Sequence, residues 1–290
     1  MTDGLIAVTG ATGQVGGRVA RRLAALGAHQ RLIVRDRERA PKLDNVEVGI
    51  ASGYADTESM RSALIGAETV LLVPGREFID RIGEHKSAVD AIVAAGAARI
   101  VYLSWINAAP DSVFTLARDH HATEQYIRGT GIAFTFLRMA LYIDFIPNMV
   151  GADGIIAGPA GNGRVAAVLR DDVADSAVGA LLDERHVGQT YNLTGPEAFT
   201  LTEAASVLSR ITGKTIRFHN ETIDEAYASR ARYGAPAFEV DGWVTTYSGI
   251  AAGEVERVTD DVRMLSGHVP VSLTEYVEAN PECLAHVVSQ

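Results

Sequence analysis

The sequence predicts an α/β protein: a doubly wound, mostly parallel sheet with a small C-terminal α/β lobe. Three observations carry this. Short apolar runs alternate with longer helical stretches over the first two thirds of the 290 residues, the pattern of strands buried on both faces. A glycine-rich turn stands between the first apolar run and the first helix. From about Asn148 the texture changes, with five glycines and a proline in residues 151–163, which predicts a loop-rich crossing away from the sheet.

The elements follow in order. Residues 5–8 form a buried strand, and residues 14–26 a helix ending at Gly27. Strands are expected at 31–34 and 46–50. A helix at 58–64 follows, with Asp56 ahead of it to accept orphan backbone N–H bonds. Residues 69–73 make a strand that turns at Pro74-Gly75. The helix 82–95 leads through Gly96 to a strand at 100–103, then a helix at 118–128 closed by Gly129 and a strand at 133–137. Asp171-Asp172 reads as a cap before a helix at 173–182. Residues 189–193 look like a late strand, and 202–211 a helix with Glu203 in its first turn. Trp243 and Tyr247 share one face if their segment is helical, as an aromatic lid or as packing. The organisation predicted is a nucleotide-binding domain at 1–150, its sheet completed by part of 165–195, interleaved with a smaller lobe at 151–290 that binds substrate.

Bulk composition narrows the partners. A net charge of −10 argues against nucleic acid, whose phosphates need compensating cations. The single cysteine, Cys283, excludes an internal disulfide and a multi-cysteine metal site. The run at 5–8 is far too short to span a bilayer, and the N-terminus lacks a charged segment, apolar run and cleavage site. The expectation is therefore a cytoplasmic protein with no membrane partner and no metal. Oligomeric state is left open.

The turn Gly10-Ala11-Thr12-Gly13-Gln14-Val15-Gly16 has the spacing and the strand–helix context of a dinucleotide site. The first glycine permits the tight turn, the second lets backbone approach a pyrophosphate, and the third lets helix pack on strand. The helix N-terminus offers N–H groups and partial positive charge to the phosphates. This is a Rossmann arrangement. Cofactor choice is read at the end of the second strand, where Ile33-Val34 is followed by Arg35, with Arg37 beyond. A guanidinium clamps a 2′-phosphate, which points to NADP(H). Asp36 keeps NAD(H) open, because it would serve a 2′-hydroxyl if the strand ended one residue later.

The turn resembles that of the extended and atypical short-chain dehydrogenases/reductases. Their usual members donate a proton from Tyr in Tyr-x-x-x-Lys. None of the nine tyrosines here has a lysine four residues on; the lysines are Lys42, Lys86 and Lys214. A more specific resemblance runs through His120-His121-Ala122-Thr123-Glu124-Gln125-Tyr126 and on to Arg138-Met139-Ala140-Leu141-Tyr142. It continues in Gly161-Asn162-Gly163-Arg164, Arg170-Asp171-Asp172-Val173-Ala174 and Gln189-Thr190-Tyr191-Asn192-Leu193-Thr194-Gly195. Together these resemble the NmrA-like family, with the nearest likeness to its type 2 quinone oxidoreductases and triphenylmethane reductase.

The resemblance implies an NADP-binding domain and a pocket between it and the lobe. It places His120 where usual members have the lysine, Val73, Pro74 and Gly75 beside the cofactor, and residues 139–144 near substrate and nicotinamide. Trp105, Met139, Ala140, Leu141, Tyr142 and Arg170 are the candidate substrate contacts. Two departures stand out. Met139 replaces an asparagine common in close relatives, and Ser52-Gly53-Tyr54-Ala55-Asp56 replaces an acidic run near the adenine.

His120 reads either as a ribose contact or proton relay, or as a histidine of a solvated helix start. Tyr142 reads as a phenol facing the substrate or as a buried structural tyrosine. Ser104 and Trp105 end the fifth strand, the lip where open α/β sheets bind ligands; Ser104 is a candidate catalytic group, and Trp105 a pocket wall or a core residue. The function expected is an NADPH-dependent reductase of a flat, conjugated carbonyl or quinone-like compound, without flavin. A ketoreductase of a polycyclic aromatic metabolite belongs to the same reading. The alternative is a redox sensor that binds the cofactor without turnover.

Overall fold

In the computed structural model, which describes residues 4–76 and 79–287, the apolar runs become strands. They are β1 (Ile6–Val8), β2 (Gln30–Val34), β3 (Val46–Ile50), β4 (Thr69–Leu72), β5 (Arg99–Trp105) and β6 (Ala133–Met139). Beyond them come β7 (Ile155–Gly158), β8 (Arg164–Val165), β9 (Thr190–Leu193), β10 (Phe199–Thr200) and β11 (Arg217–Asn220). Seven strands form one sheet in the order β3-β2-β1-β4-β5-β6-β9, and every pair in it is parallel. The order reverses between β1 and β4, which opens a crevice at their carboxyl ends.

Helices cover both faces. On one, α1 (Gln14–Ala25) packs beneath β1 and β2. The other face carries α2 (Thr57–Leu64), α3 (Arg81–Ala94) and α4 (Thr115–Thr130). Alternation along the strands divides the core. Val8, Leu32, Leu71, Leu103 and Leu137 face α1 and the later α5 (Arg170–Leu182), whereas Ile33, Val70, Leu72, Tyr102 and Phe136 pack in the core on the α2–α4 side. A third core, built on Ile146, Ile156, Phe199, Leu208 and Ile250, fills the C-terminal lobe. The lobe contains α6 (Leu201–Thr212), α7 (Ile223–Arg230), α8 (Ala237–Ala251) and α10 (Leu273–Ala279), while α9 (Asp261–Ser266) returns to pack on α5. Among the described residues no helix is long and apolar enough to cross a membrane.

Residues 151–163 form the expected loop-rich crossing away from the main sheet, with β7 inside it pairing in parallel with β11. Gly154 and Gly161 take positive φ, at +79 and +55, and two of the glycines allow close packing: a Cβ at Gly158 would stand 2.3 Å from the Tyr247 ring, and one at Gly154 2.5 Å from the Thr215 carbonyl. One expectation needs correction, that of Asp171 and Asp172, which do not precede their helix. It starts at Arg170 behind Leu169, so both carboxylates lie in its first turn. There Asp171 bonds Arg18 Nε (3.1 Å) and Arg22 Nη2 (2.7 Å) of α1, and Asp172 accepts from Val271 N at 2.8 Å.

Trp243 and Tyr247 do share α8. Tyr247 is buried in the lobe core, and Trp243 stacks edge-on against Tyr233.

Candidate functional site

The turn after β1 is shaped by absent side chains. Gly10 has φ +61, and a Cβ there would press on Val73 at 3.0 Å. Gly13 N donates to Gly10 O at 2.8 Å, closing the turn. A Cβ at Gly16 would meet Gly10 O at 2.4 Å and Thr9 O at 2.8 Å, so α1 lies directly against the turn. Ala11 and Val15 are buried, whereas Thr12, Gly13 and Gln14 are exposed. Gly13 caps α1 without a side-chain bond, and no acid stands in the first turn. The N–H groups there are left for an anion, as a pyrophosphate requires.

At the end of β2, Arg35 and Asp36 differ in what their side chains bond. Asp36 turns its carboxylate back on its own chain and accepts from Glu38 N at 3.0 Å. Arg37 donates to Val48 O at 3.3 Å. Arg35 follows the last residue of β2 and is exposed, as are Asp36 and Arg37.

The turn after β4 is held in the opposite manner, by side chains from elsewhere. Val73 N donates to Thr9 Oγ1 (2.9 Å), and the Tyr54 phenol donates to Val73 O (2.5 Å) with its oxygen 2.7 Å from Thr9 Oγ1. Burial pushes the Tyr54 phenol up to about 12, so it stays a donor. Gly75 N donates to His85 Nε2 at 2.9 Å, and Gly75 O accepts from Arg81 Nε at 3.1 Å. Pro74 between them has no N–H to satisfy. Every other N–H and C=O of Val73 and Gly75 is therefore bonded to a side chain. His85 is fully buried, and burial with the nearby Arg81 lowers its pKa to about 3. The ring is neutral, with Nδ1 donating to Thr123 Oγ1 at 2.9 Å.

His120 lies one turn before Glu124 on the buried face of α4 and is 4% exposed. Arg81 Nη2 reaches its Nε2 at 3.1 Å, and its Nδ1 is 2.9 Å from the Tyr102 hydroxyl. Because arginine only donates, Nε2 accepts and Nδ1 carries the proton. Burial first, then Arg81, holds the ring well below its ordinary pKa. Ser104 is fully buried and donates to Glu124 Oε1 at 2.6 Å. Arg138 holds the same carboxylate with two bonds, at 2.8 and 2.6 Å.

The other lip residues form a mostly apolar strip. Met139, Ala140 and Leu141 are buried at the end of β6. The half-buried Tyr142 donates its hydroxyl to Met139 Sδ, and burial raises its pKa. Arg170 lies over the Tyr142 ring, 4.2 Å from its centroid, and pairs with Asp144 at 2.9 Å. Trp105 packs against Phe114 with ring centroids 4.7 Å apart and planes tilted by 53°, and its Nε1 has no partner among the described residues.

The structure thus brings the glycine turn, Arg35 and Val73–Gly75 to one edge of the sheet, and Trp105 and Met139 to adjacent places in the β5–β6 register. Sequence reasoning missed Tyr54, Arg81 and His85. A signal existed for Arg81: a cation in the first turn of a helix opposes the helix dipole, so its presence behind the Asp80 cap asks for a tertiary reason.

Residues 2–232 match the family model described as the NmrA-like family. A crystal structure of an NADPH-dependent quinone oxidoreductase from Escherichia coli, complexed with NADPH, is 30% identical with a TM-score of 0.87, covering 94% of this chain and 99% of that one. The Citrobacter sp. triphenylmethane reductase complexed with NADP(H) is 34% identical with a TM-score of 0.84, covering 94% and 99%. The (4-alkanoyl-5-oxo-2,5-dihydrofuran-3-yl)methyl phosphate reductase of Streptomyces griseus subsp. griseus is 35% identical over 241 residues, 81% of this chain and 84% of the relative.

Proposed function

The chain belongs to the NmrA-like family, and we propose that it is an NADP(H)-dependent reductase of flat, conjugated carbonyl or quinone-like compounds. The residues present fit the cofactor: an uncapped α1 N-terminus, glycines whose Cβ atoms would strike backbone, and an exposed Arg35. Thr12, Gly13 and Gln14 would hold the pyrophosphate, and Arg35 the 2′-phosphate. Val73, Pro74 and Gly75 would form the floor beside the nicotinamide, which when bound supplies hydride.

One observation carries the substrate class: each candidate proton donor at the lip is already engaged. His120 has partners at both nitrogens, Ser104 donates to Glu124, and the Tyr142 phenol donates to Met139. An isolated ketone develops localised charge on oxygen and needs a general acid. A quinone, enone or polycyclic ketone spreads that charge over its conjugated system, so alignment and exclusion of water are the protein's main contributions. Trp105, Met139 and Leu141 provide apolar surface for a planar ring. The E. coli and Citrobacter proteins, named for quinones and triphenylmethane dyes, support the same class.

The test is loss of reduced-nicotinamide absorbance against quinones, polycyclic ketones, triphenylmethane dyes and a simple aliphatic ketone. Turnover is expected with conjugated acceptors and not with the aliphatic one. The same engaged donors also suit a sensor without turnover. Tight NADPH binding with no turnover on any acceptor would establish that reading instead.

A further inference from the structure

Arg81 is buried to 4% exposure, yet it belongs to no ordinary surface pair. Its guanidinium has three protein partners: Nε donates to Gly75 O at 3.1 Å, Nη2 to His120 Nε2 at 3.1 Å, and Nη1 lies 3.4 Å from Asp119 Oδ2. The first partner is the turn after β4, and the other two are on α4. A parallel link runs from Gly75 N through His85 to Thr123, whose hydroxyl donates to Asp119 O at 2.8 Å. The two links meet on one turn of α4 and grip the two main-chain polar groups of one glycine.

We propose that Arg81 is the positioning residue of the nicotinamide site, fixing the turn at Gly75 against α4 with His120 as its acceptor. This rests on the reading of Val73–Gly75 as the cofactor floor. It assigns His120 a role different from proton relay, because a ring whose Nε2 accepts from a permanent cation has no lone pair to offer a substrate. Fork geometry is essential. Three partners in three directions match a planar guanidinium, whereas a lysine ammonium on the same stem is a compact charge without the fork.

The arrangement makes claims that can be read without turnover. Histidine ring nitrogen shifts in the labelled protein, without cofactor, are expected to show His85 and His120 both neutral and protonated at Nδ1. In Arg81→Met, His120 loses its donor and its ring signals change, while His286, distant in the lobe and bonded at Nε2 to Val150 O, stays as it was. Exchange at the Gly75 amide is expected to accelerate about tenfold or more, with amides of β6 and β9 unchanged; loss of one charge-assisted bond has that size. NADPH Kd should rise about tenfold by the same reasoning, and Arg81→Lys should recover only part of it.

An Nε2–H tautomer at His120 in the unaltered protein overturns the proposal, and that measurement needs no variant. So does an Arg81→Met protein with unchanged Gly75 exchange and NADPH Kd. Acceleration spread over the whole sheet would show a purely structural role and overturns it too, as would full recovery with lysine. If the unaltered protein fails to bind NADPH, the cofactor-site reading falls, while the ring and exchange measurements still decide what Arg81 holds.

Discussion

Two neighbouring turns at the carboxyl edge of the sheet keep their shape by opposite means. The turn after β1 is made by removal: Gly10, Gly13 and Gly16 leave room for backbone to lie on backbone, and a single Cβ at Gly16 would come within 2.4 Å of a carbonyl oxygen. The turn after β4 is made by addition. Thr9, Tyr54, Arg81 and His85 arrive from three other segments, the last two from α3, and saturate the main chain of Val73 and Gly75. The first device is local and steric, so a change there should act on the fold and on phosphate binding together. The second is distributed and polar, so single losses should be smaller and, where a titratable ring takes part, dependent on pH.

The largest effect is expected at the first turn. In Gly16→Ala the obstructing atoms are Gly10 O and Thr9 O, backbone that moves only if β1 or α1 moves. The expected cost is about 3 kcal/mol of stability, at the upper end for overpacking, with NADPH affinity lowered at least about a hundredfold. Denaturant melts and cofactor titration measure the two, and an affinity loss without a stability loss would show that the turn is less rigid than argued.

Next in size is the pH dependence of the second turn. His85 has a folded pKa of about 3 against 6.5 for the free side chain. Between those values the unfolded chain binds the proton and the folded one does not, so stability falls as pH falls from 6.5 towards 3. By pH 4 the single group accounts for about 3 kcal/mol. Asp172 works the other way: burial raises its pKa to about 6 from 3.8, so the folded state holds the extra proton and that stability is lost as pH rises from 3.8 to 6. The clean measurement is therefore the difference between the protein and His85→Gln across this range. The variant's acid-side slope should be shallower, and identical slopes would remove His85 from the account.

The same contrast explains what the sequence made legible. Glycine spacing between a strand and a helix is visible in seven consecutive residues, and the alternation of apolar runs set the parallel sheet almost strand for strand. The clamp on Val73 and Gly75 joins residues 9, 54, 73, 75, 81, 85 and 123, which no local pattern connects. Tyr54 showed only as a departure from an acidic run, and its bonds to Thr9 and Val73 depend on where β4 lies beside β1. His120 was singled out for its position, but its partners, Arg81 and Tyr102, are 39 and 18 residues away. The glycines of 151–163 made the loop-rich crossing legible, but not that Gly158 among them is there for packing against Tyr247.

Arg35 sharpens the comparison from outside either turn. It is exposed, so Arg35→Ala should leave stability nearly unchanged. Loss of a charge-assisted phosphate contact should raise the NADPH Kd about tenfold or more and leave the NADH Kd alone. Parallel titrations with both cofactors test it; equal weakening of the two would place Arg35 on the pyrophosphate or the adenine rather than on the 2′-phosphate.

The smallest effect separates the two devices most sharply. Tyr54→Phe deletes one hydroxyl and keeps the ring. Thr9 Oγ1 still donates to Leu71 O and accepts from Val73 N, so the only group left without its protein partner is Val73 O. That residue is half-buried, and water can replace the phenol, which puts the cost near 1 kcal/mol. NADPH affinity should fall by no more than about threefold, since three of the four clamps on Val73 and Gly75 survive. Removing a group from the distributed turn is then far milder than adding one methyl to the steric turn beside it. A Tyr54→Phe loss comparable to that of Gly16→Ala would mean that the clamps act as one cooperative unit, with Tyr54 as its keystone.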